Sequence, residues 1–151
     1  MKQLILVTCS LLFSVNVLAN ALEISSQHVR ATPPHVKNSA AFFTITNDTN
    51  KNIKLIAVKS DIAEKVQIHN NINEDGMMKM RQVESIIIEA NGSTSLQPGG
   101  YHVMFLGLKN DLTEGDNVEL ALYFDNGDQI KINAPVQKIS ASHEKSNKKH
   151  H

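Results

Sequence analysis

The feature that most constrains this chain is its punctuation: short apolar runs of strand length recur from residue 40 onward, each closed within a few residues by a turn signal. "AAFFTITND" alternates Phe43 and Ile45 against Phe42, Thr44 and Thr46. "NIKLIAVKS" alternates Ile53, Leu55 and Ala57 against Lys54, Ile56 and Val58. Seven further runs follow: "KVQIHN", "MKMRQV", "SIIIEA", "STSLQ", "YHVMFLGL", "NVELALYF" and "QIKINAPVQKI". Between them stand Glu74-Asp75-Gly76, Asn91-Gly92, Pro98-Gly99, Gly115-Asp116 and Asn126-Gly127. Period-two alternation with Gly and Asn turns is the signature of antiparallel strands. No stretch carries the 3.6-residue period of a long amphipathic helix, and no internal repeat is seen. The expected fold is all-β, a Greek-key sandwich or barrel.

The ends read differently. "MKQLILVTCSLLFSVNVLANA" has a basic start at Lys2, an apolar stretch from Leu4 to Leu18 and small residues at Ala19 and Ala21. That is the pattern of a secretory signal peptide over residues 1–21, with cleavage after Ala21 or Ala19. Cys9 lies inside the apolar stretch, a poor position for lipid attachment, and it is the only cysteine in the chain. The mature protein is therefore expected to be exported to the periplasm, without membrane insertion and with neither disulfide nor thiolate nucleophile. Residues 22–138 suit one domain, and a monomer is expected. Without Lys2 the chain keeps 14 basic residues against 15 acidic ones, a balance that argues against a nucleic-acid-binding face. Residues 139–151, ending "SASHEKSNKKHH", read as a polar, flexible tail. Its His143, His150 and His151 form a weak metal-binding segment, with a solubilising tail as the plain alternative.

Within the domain one detail is not explained by packing. Apart from Met1, the methionines are Met77, Met78, Met80 and Met104. His102 stands beside Met104 with one residue between, and His69 lies just upstream of the methionine cluster. Pro98-Gly99 reads as a type II turn starting a strand near Tyr101. His102, Met104 and Leu106 then share one face, and Tyr101, Val103 and Phe105 the other. Alone, His102 and Met104 would pass for a sheet-surface histidine and a filler methionine. "VQIHNNINEDGMMKMRQV" adds to them, because a two-residue loop at Asp75-Gly76 pairs residues whose numbers sum to 151. His69 then faces Gln82 and lies diagonal to Met80, about 7–8 Å away at the backbone.

Two histidines and two methionines have a specific chemistry. Neutral thioether sulfur is soft and selects Cu(I), whereas zinc sites favour cysteine or carboxylate beside histidine, and calcium takes oxygen. A thioether also survives an oxidising compartment in which a cysteine pair would close into a disulfide. Nothing in the chain has the spacing of a general acid or base, so no enzyme is expected. A blue-copper electron carrier would need a cysteine ligand.

The spacing His69, ten residues, Met80, twenty-one residues, His102, one residue, Met104 resembles the H-x10-M-x21-H-x-M signature of the PCuAC periplasmic copper chaperones. The surrounding words "HVRATPPHVKNSAAFFTITN", "GMMKMRQVESIIIEANG" and "LQPGGYHVMFLGLKNDLTEGDNVELALYF" are similar to that family as well, and the resemblance spans nearly all of residues 22–137. It implies a cupredoxin-like β-sandwich that binds one Cu(I) through His69, Met80, His102 and Met104. It also implies delivery to the copper subunit of cytochrome c oxidase or to a Sco-type partner. The alternative within the same site is copper buffering or tolerance without dedicated delivery. Met77 and Met78 lie outside the motif. Met78 shares parity with Met80 and is an auxiliary candidate, although surface packing accounts for it equally. His35 reads as an exposed loop histidine. The histidine tail, if it binds metal, suits Cu(II).

Overall fold

The computed structural model describes residues 21–139. Most of residues 1–21 and of the 139–151 tail, including His143, His150 and His151, therefore lies outside the described residues. Ten strands form in chain order: β1 (Leu22–Arg30), β2 (Asn38–Asn47), β3 (Ile53–Lys59), β4 (Ala63–Glu74), β5 (Met77–Gln82), β6 (Ile86–Ile88), β7 (Gly92–Leu96), β8 (His102–Leu108), β9 (Asn117–Phe124) and β10 (Gln129–Gln137). The described residues contain no helix, and none therefore long and apolar enough to cross a membrane.

The strands hydrogen-bond in the order β5-β4-β8-β2-β1-β10-β9-β3-β6, with β7 also on β2. All pairs are antiparallel except β1 with β10, where Val29 lies beside Val136. This parallel junction joins two arms whose inner faces share one core. β2 and β8 contribute Phe43, Ile45, Val103 and Phe105, and the opposite arm contributes Leu55, Ile86, Leu120 and Leu122. Each of these comes from the apolar phase of an alternating strand, as a two-layer β fold requires. The architecture is the expected all-β, cupredoxin-like sandwich.

The turns behave as their residues demand. Asp75 and Gly76 both have positive φ, 53° and 80°, the pairing a two-residue hairpin turn of type I′ needs. Gly99 sits at φ 87°, and the Gly100 N–H donates to the Gln97 carbonyl at 3.0 Å, closing the turn that launches β8.

Two features depart from the strand reading. β1 is a tenth strand that alternation does not reveal, because a bulge between Ser25 and His28, with Ser26 at φ 56°, breaks its period among polar residues. In β3 the register against β9 shifts between Leu55 and Ala57, so that Val58 is buried in place of Ala57. The expected grouping of Ala57 with Ile53 and Leu55 therefore fails at its last member.

One polar side chain ties the layers. Asn47 is 0% exposed; its amide nitrogen donates to the carbonyls of Lys51 (2.8 Å), Ile88 (3.2 Å) and Glu89 (3.1 Å), and its oxygen accepts from the Thr49 N–H (3.0 Å) and hydroxyl (2.7 Å). It joins the end of β2 to the β3 approach and the end of β6. Since losing one partner strands buried groups, Asn47→Ala is expected to destabilise the domain by about 2–3 kcal/mol. Urea unfolding at unchanged m-value measures this, and a loss below about 0.5 kcal/mol, the size of an ordinary surface substitution, would show that the network is dispensable.

Candidate metal centre

The site is built by strand register. In the β4–β5 hairpin His69 pairs with Gln82 and Asn71 with Met80, which puts Met80 diagonal to His69 as the Asp75-Gly76 loop requires. β8 lies on the other side of β4, with His69 opposite His102 and Gln67 opposite Met104. β2 follows, with Ala40 opposite Met104. Side chains alternate, so His69, Met80, His102 and Met104 all stand on the outer face of this arm. Val103 and Phe105 of the same strand β8 point into the core and are fully buried.

Although it is on the outer face, His102 is only 4% exposed, well short of the surface position that its strand phase alone would give. Its ring lies between that of His69, 5.7 Å away between centroids, and that of Phe42, at 6.4 Å. The ring's Nδ1–H donates to the Gly100 carbonyl at 3.0 Å, leaving Nε2 as the nitrogen with a free lone pair. A carbonyl that fixes the tautomer in this way orients a histidine for metal binding.

For His69 the roles of the two nitrogens are reversed. Nε2–H donates to the Gln67 amide oxygen at 2.9 Å, and Nδ1 is buried with no hydrogen-bond partner. A buried lone pair without a partner is costly in a folded protein.

An open cleft of about 330 Å3 lies alongside, lined by Met80, His102 and Met104 together with Phe42, Asn71 and Arg30. Ala40 and the Pro98-Gly99 turn complete its wall. His69 does not line the cleft; it stands behind His102 on the next strand. Met80 and Met78 are 49% and 62% exposed, and Met77 is exposed on the opposite face of β5. Met78 pairs with Asn73, so it shares the face of Met80 but is not among the residues lining the cleft. His35 has positive φ, 68°, and its backbone N–H donates to Asp111 in an exposed loop, away from the four residues. Among the described residues no three His, Cys, Asp or Glu side chains lie together as a metal-holding group; the soft sulfurs are what sets this arrangement apart.

Several neighbours were not singled out by the motif. Gln67 and Asn71 share strand phase with His69 and could have been reached by stepping two residues either way. His28, Arg30 and Phe42 come from β1 and β2, and only three-dimensional pairing brings them here.

Burial holds the His69 imidazole below its ordinary pKa of 6.5, and the nearby His102 lowers it further. The unfolded chain then takes up a proton near pH 6.5 that the folded chain resists. Stability from this residue is complete above that pH and is lost as pH falls toward the lowered folded value. Copper-free protein is expected to unfold at lower urea at pH 5.5 than at pH 7.5, and His69→Gln should flatten that difference. An identical pH profile in the variant would exclude His69 as its source.

Comparison with known proteins agrees with this fold. The LpqE-like family model, whose description includes the word lipoprotein, matches residues 22–136. RP573 of Rickettsia prowazekii is 35% identical over 102 residues, which are 67% of this chain and 56% of that protein; the match thus spans little more than half the length of that relative. Among solved structures, the Cu(I) form of DR1885 from Deinococcus radiodurans is 33% identical with a TM-score of 0.63, covering 80% of this chain and 82% of that one. The apo PCuAC domain of PmoF1 has a TM-score of 0.68 at 24% identity, over 79% of this chain and 95% of that domain, and shows a shared fold. The chain belongs to the LpqE-like family, the family of the PCuAC domains.

Proposed function

We propose that this protein is a periplasmic copper carrier that binds one Cu(I) through His69, Met80, His102 and Met104. On this reading it passes the ion to the copper subunit of cytochrome c oxidase or to a Sco-type protein. The observation that carries the reading is the unpartnered, buried Nδ1 of His69 beside a second imidazole whose tautomer is fixed, next to a cleft walled by two thioethers. Two imidazoles and two thioethers suit a soft monovalent cation, and neutral ligands suit an ion of low charge. The likeness to the Cu(I) form of DR1885 supports the same ion. Export is supported by the signal pattern of residues 1–21 and by the lipoprotein description of the family.

The arrangement suits transfer. Thioethers carry no proton and burial favours the neutral form of His69, so the ion can leave these donors without acid or base assistance. Met80, half exposed on β5 at the cleft, is the donor an incoming ligand meets first. Exchange then proceeds one donor at a time, with the outgoing and incoming ligands sharing the ion. Each step exchanges one coordinate bond to the ion for another and leaves the covalent bonds of both proteins unchanged, so the reading is of a binding and transfer protein rather than an enzyme.

Two measurements test it. In Cu(I) titrations against a competing chelator, Met80→Ala and Met104→Ala should each weaken binding by more than the roughly 10–100-fold typical of residues that only orient a ligand. Met77→Ala, on the opposite face of β5, should change it little, and equal damage from Met77→Ala would overturn the ligand set. A chain ending at Lys138 should keep its single Cu(I) and lose a weaker Cu(II) site formed by His143, His150 and His151. That Cu(II) site should fade below about pH 6 as free imidazoles protonate. Loss of Cu(I) on truncation would place the tail in the main site.

A further inference from the structure

The face that carries the four donors has an uneven charge that metal binding does not call for. Paired residues cross it: Ala40, Met104 and Gln67; His28 and Phe42; His102, His69 and Gln82; and Asn71 with Met80, while Arg30, two residues on from His28, lines the same cleft as Ala40 and Phe42. Beside them runs the pair Asn38–Leu106, with Lys65 opposite Leu106 on β4. The charged side chains among these residues are Arg30 and Lys65, both exposed, and there is no carboxylate. The acidic residues of these strands stand in the opposite phase or far from the donors: Glu64 and Glu74 of β4 alternate to the reverse of Lys65, His69 and Asn71, and Glu23 lies at the far end of β1 against Thr46.

Elsewhere four cations are matched, while Lys37, Lys51, Lys54, Lys59 and Lys109 have no carboxylate partner among the described residues. Glu74 holds both Lys79 and Arg81 on the reverse face of the hairpin at 2.8 and 3.1 Å, Glu119 lies 3.6 Å from Lys131, and Glu114 lies 3.2 Å from Lys138. Among the described residues neither Arg30 nor Lys65 has such a partner. Arg30 is nevertheless held in place, its guanidinium 5.8 Å from the centre of the Phe42 ring at the wall of the cleft. Across the cleft the exposed Met78 and Met80 supply an apolar margin. A cation held beside a cation-binding cleft weakly opposes retention of the ion, so its presence needs another reason.

We propose that this face docks an acceptor protein whose copper-receiving ligands are flanked by carboxylates, with Arg30 and Lys65 opposite the carboxylates and Met78 and Met80 against its apolar surface. This rests on the carrier reading above and adds the chemistry of the partner. Two charges on one face lie within a Debye length of an apposed partner, about 8–10 Å at physiological salt. Complementary charge of this kind acts mainly on the rate of encounter.

The full chain, loaded with Cu(I), is mixed in stopped flow with either of two synthetic acceptor peptides. Both carry the same His-Gly-Met-Gly-His ligand set, and they differ only in having four flanking aspartates or four flanking lysines. Transfer to the aspartate peptide should be about tenfold faster at low salt, the lower end of what electrostatic steering gives. The difference should vanish near 0.5 M salt. Lys65→Glu should shrink the preference, and the double change with Arg30→Glu should reverse it. Equal rates to both peptides from loaded protein, or a preference that the single Lys65→Glu variant leaves untouched, would overturn the docking proposal alone. Failure of the unaltered chain to take up Cu(I) would instead overturn the carrier reading, and the docking proposal with it.

Discussion

The register of β8 between β4 and β2 is the constraint on which the rest of the molecule depends, because this one strand faces both the core and the cleft. Val103 and Phe105 fill the interior, while His102 and Met104 stand on the opposite side against His69, Gln67 and Ala40. A slip of one residue would bury a histidine and a methionine in the core and expose two apolar side chains. The hydrophobic effect therefore enforces the geometry of the donors. The core needs Val103 and Phe105 inside, and the four candidate ligands are aligned as a by-product. A site held in this way exists before any ion arrives.

The same logic explains which parts were legible in the sequence. Asp75-Gly76 has few backbone options, so the hairpin register followed from the turn alone, and His69 opposite Gln82 is the observed pair. The phase of β8 followed from alternation beneath Pro98-Gly99. β1 was not legible, because its bulge at Ser25–His28 removes the period that reveals a strand. The shift in β3 that buries Val58 likewise depends on pairing with β9, which local sequence does not encode. For the site, strand phase grouped His69, Met80, His102 and Met104, but could not show that His69 stands behind His102 outside the cleft, nor that β1 and β2 supply Arg30 and Phe42. Those facts belong to contacts between segments far apart in the chain.

Small residues shape the cleft as much as the donors do. Ala40 pairs with Met104 and lines the cleft that Arg30 also lines, and with no side chain beyond Cβ it leaves the floor open. A larger residue there would fill the space in front of Met104. Gly99 and Pro98 close another side without projecting a long side chain into it. Openness and the burial of His102 coexist because the shielding comes from rings flanking the imidazole rather than from a lid above it.

The strand order carries a last consequence. β5 has one hydrogen-bonded neighbour, β4, whereas β4, β8 and β2 are each paired on both sides. Edge strands with few buried contacts open first in local unfolding. Of the four proposed donors, only Met80 is on such a strand. Fraying of β5 would lift away one thioether while the two imidazoles and Met104 remain fixed by the interior of the sheet. The grip on the ion would then be set by a breathing motion of the hairpin, and a carrier built in this way can loosen its hold without losing its fold.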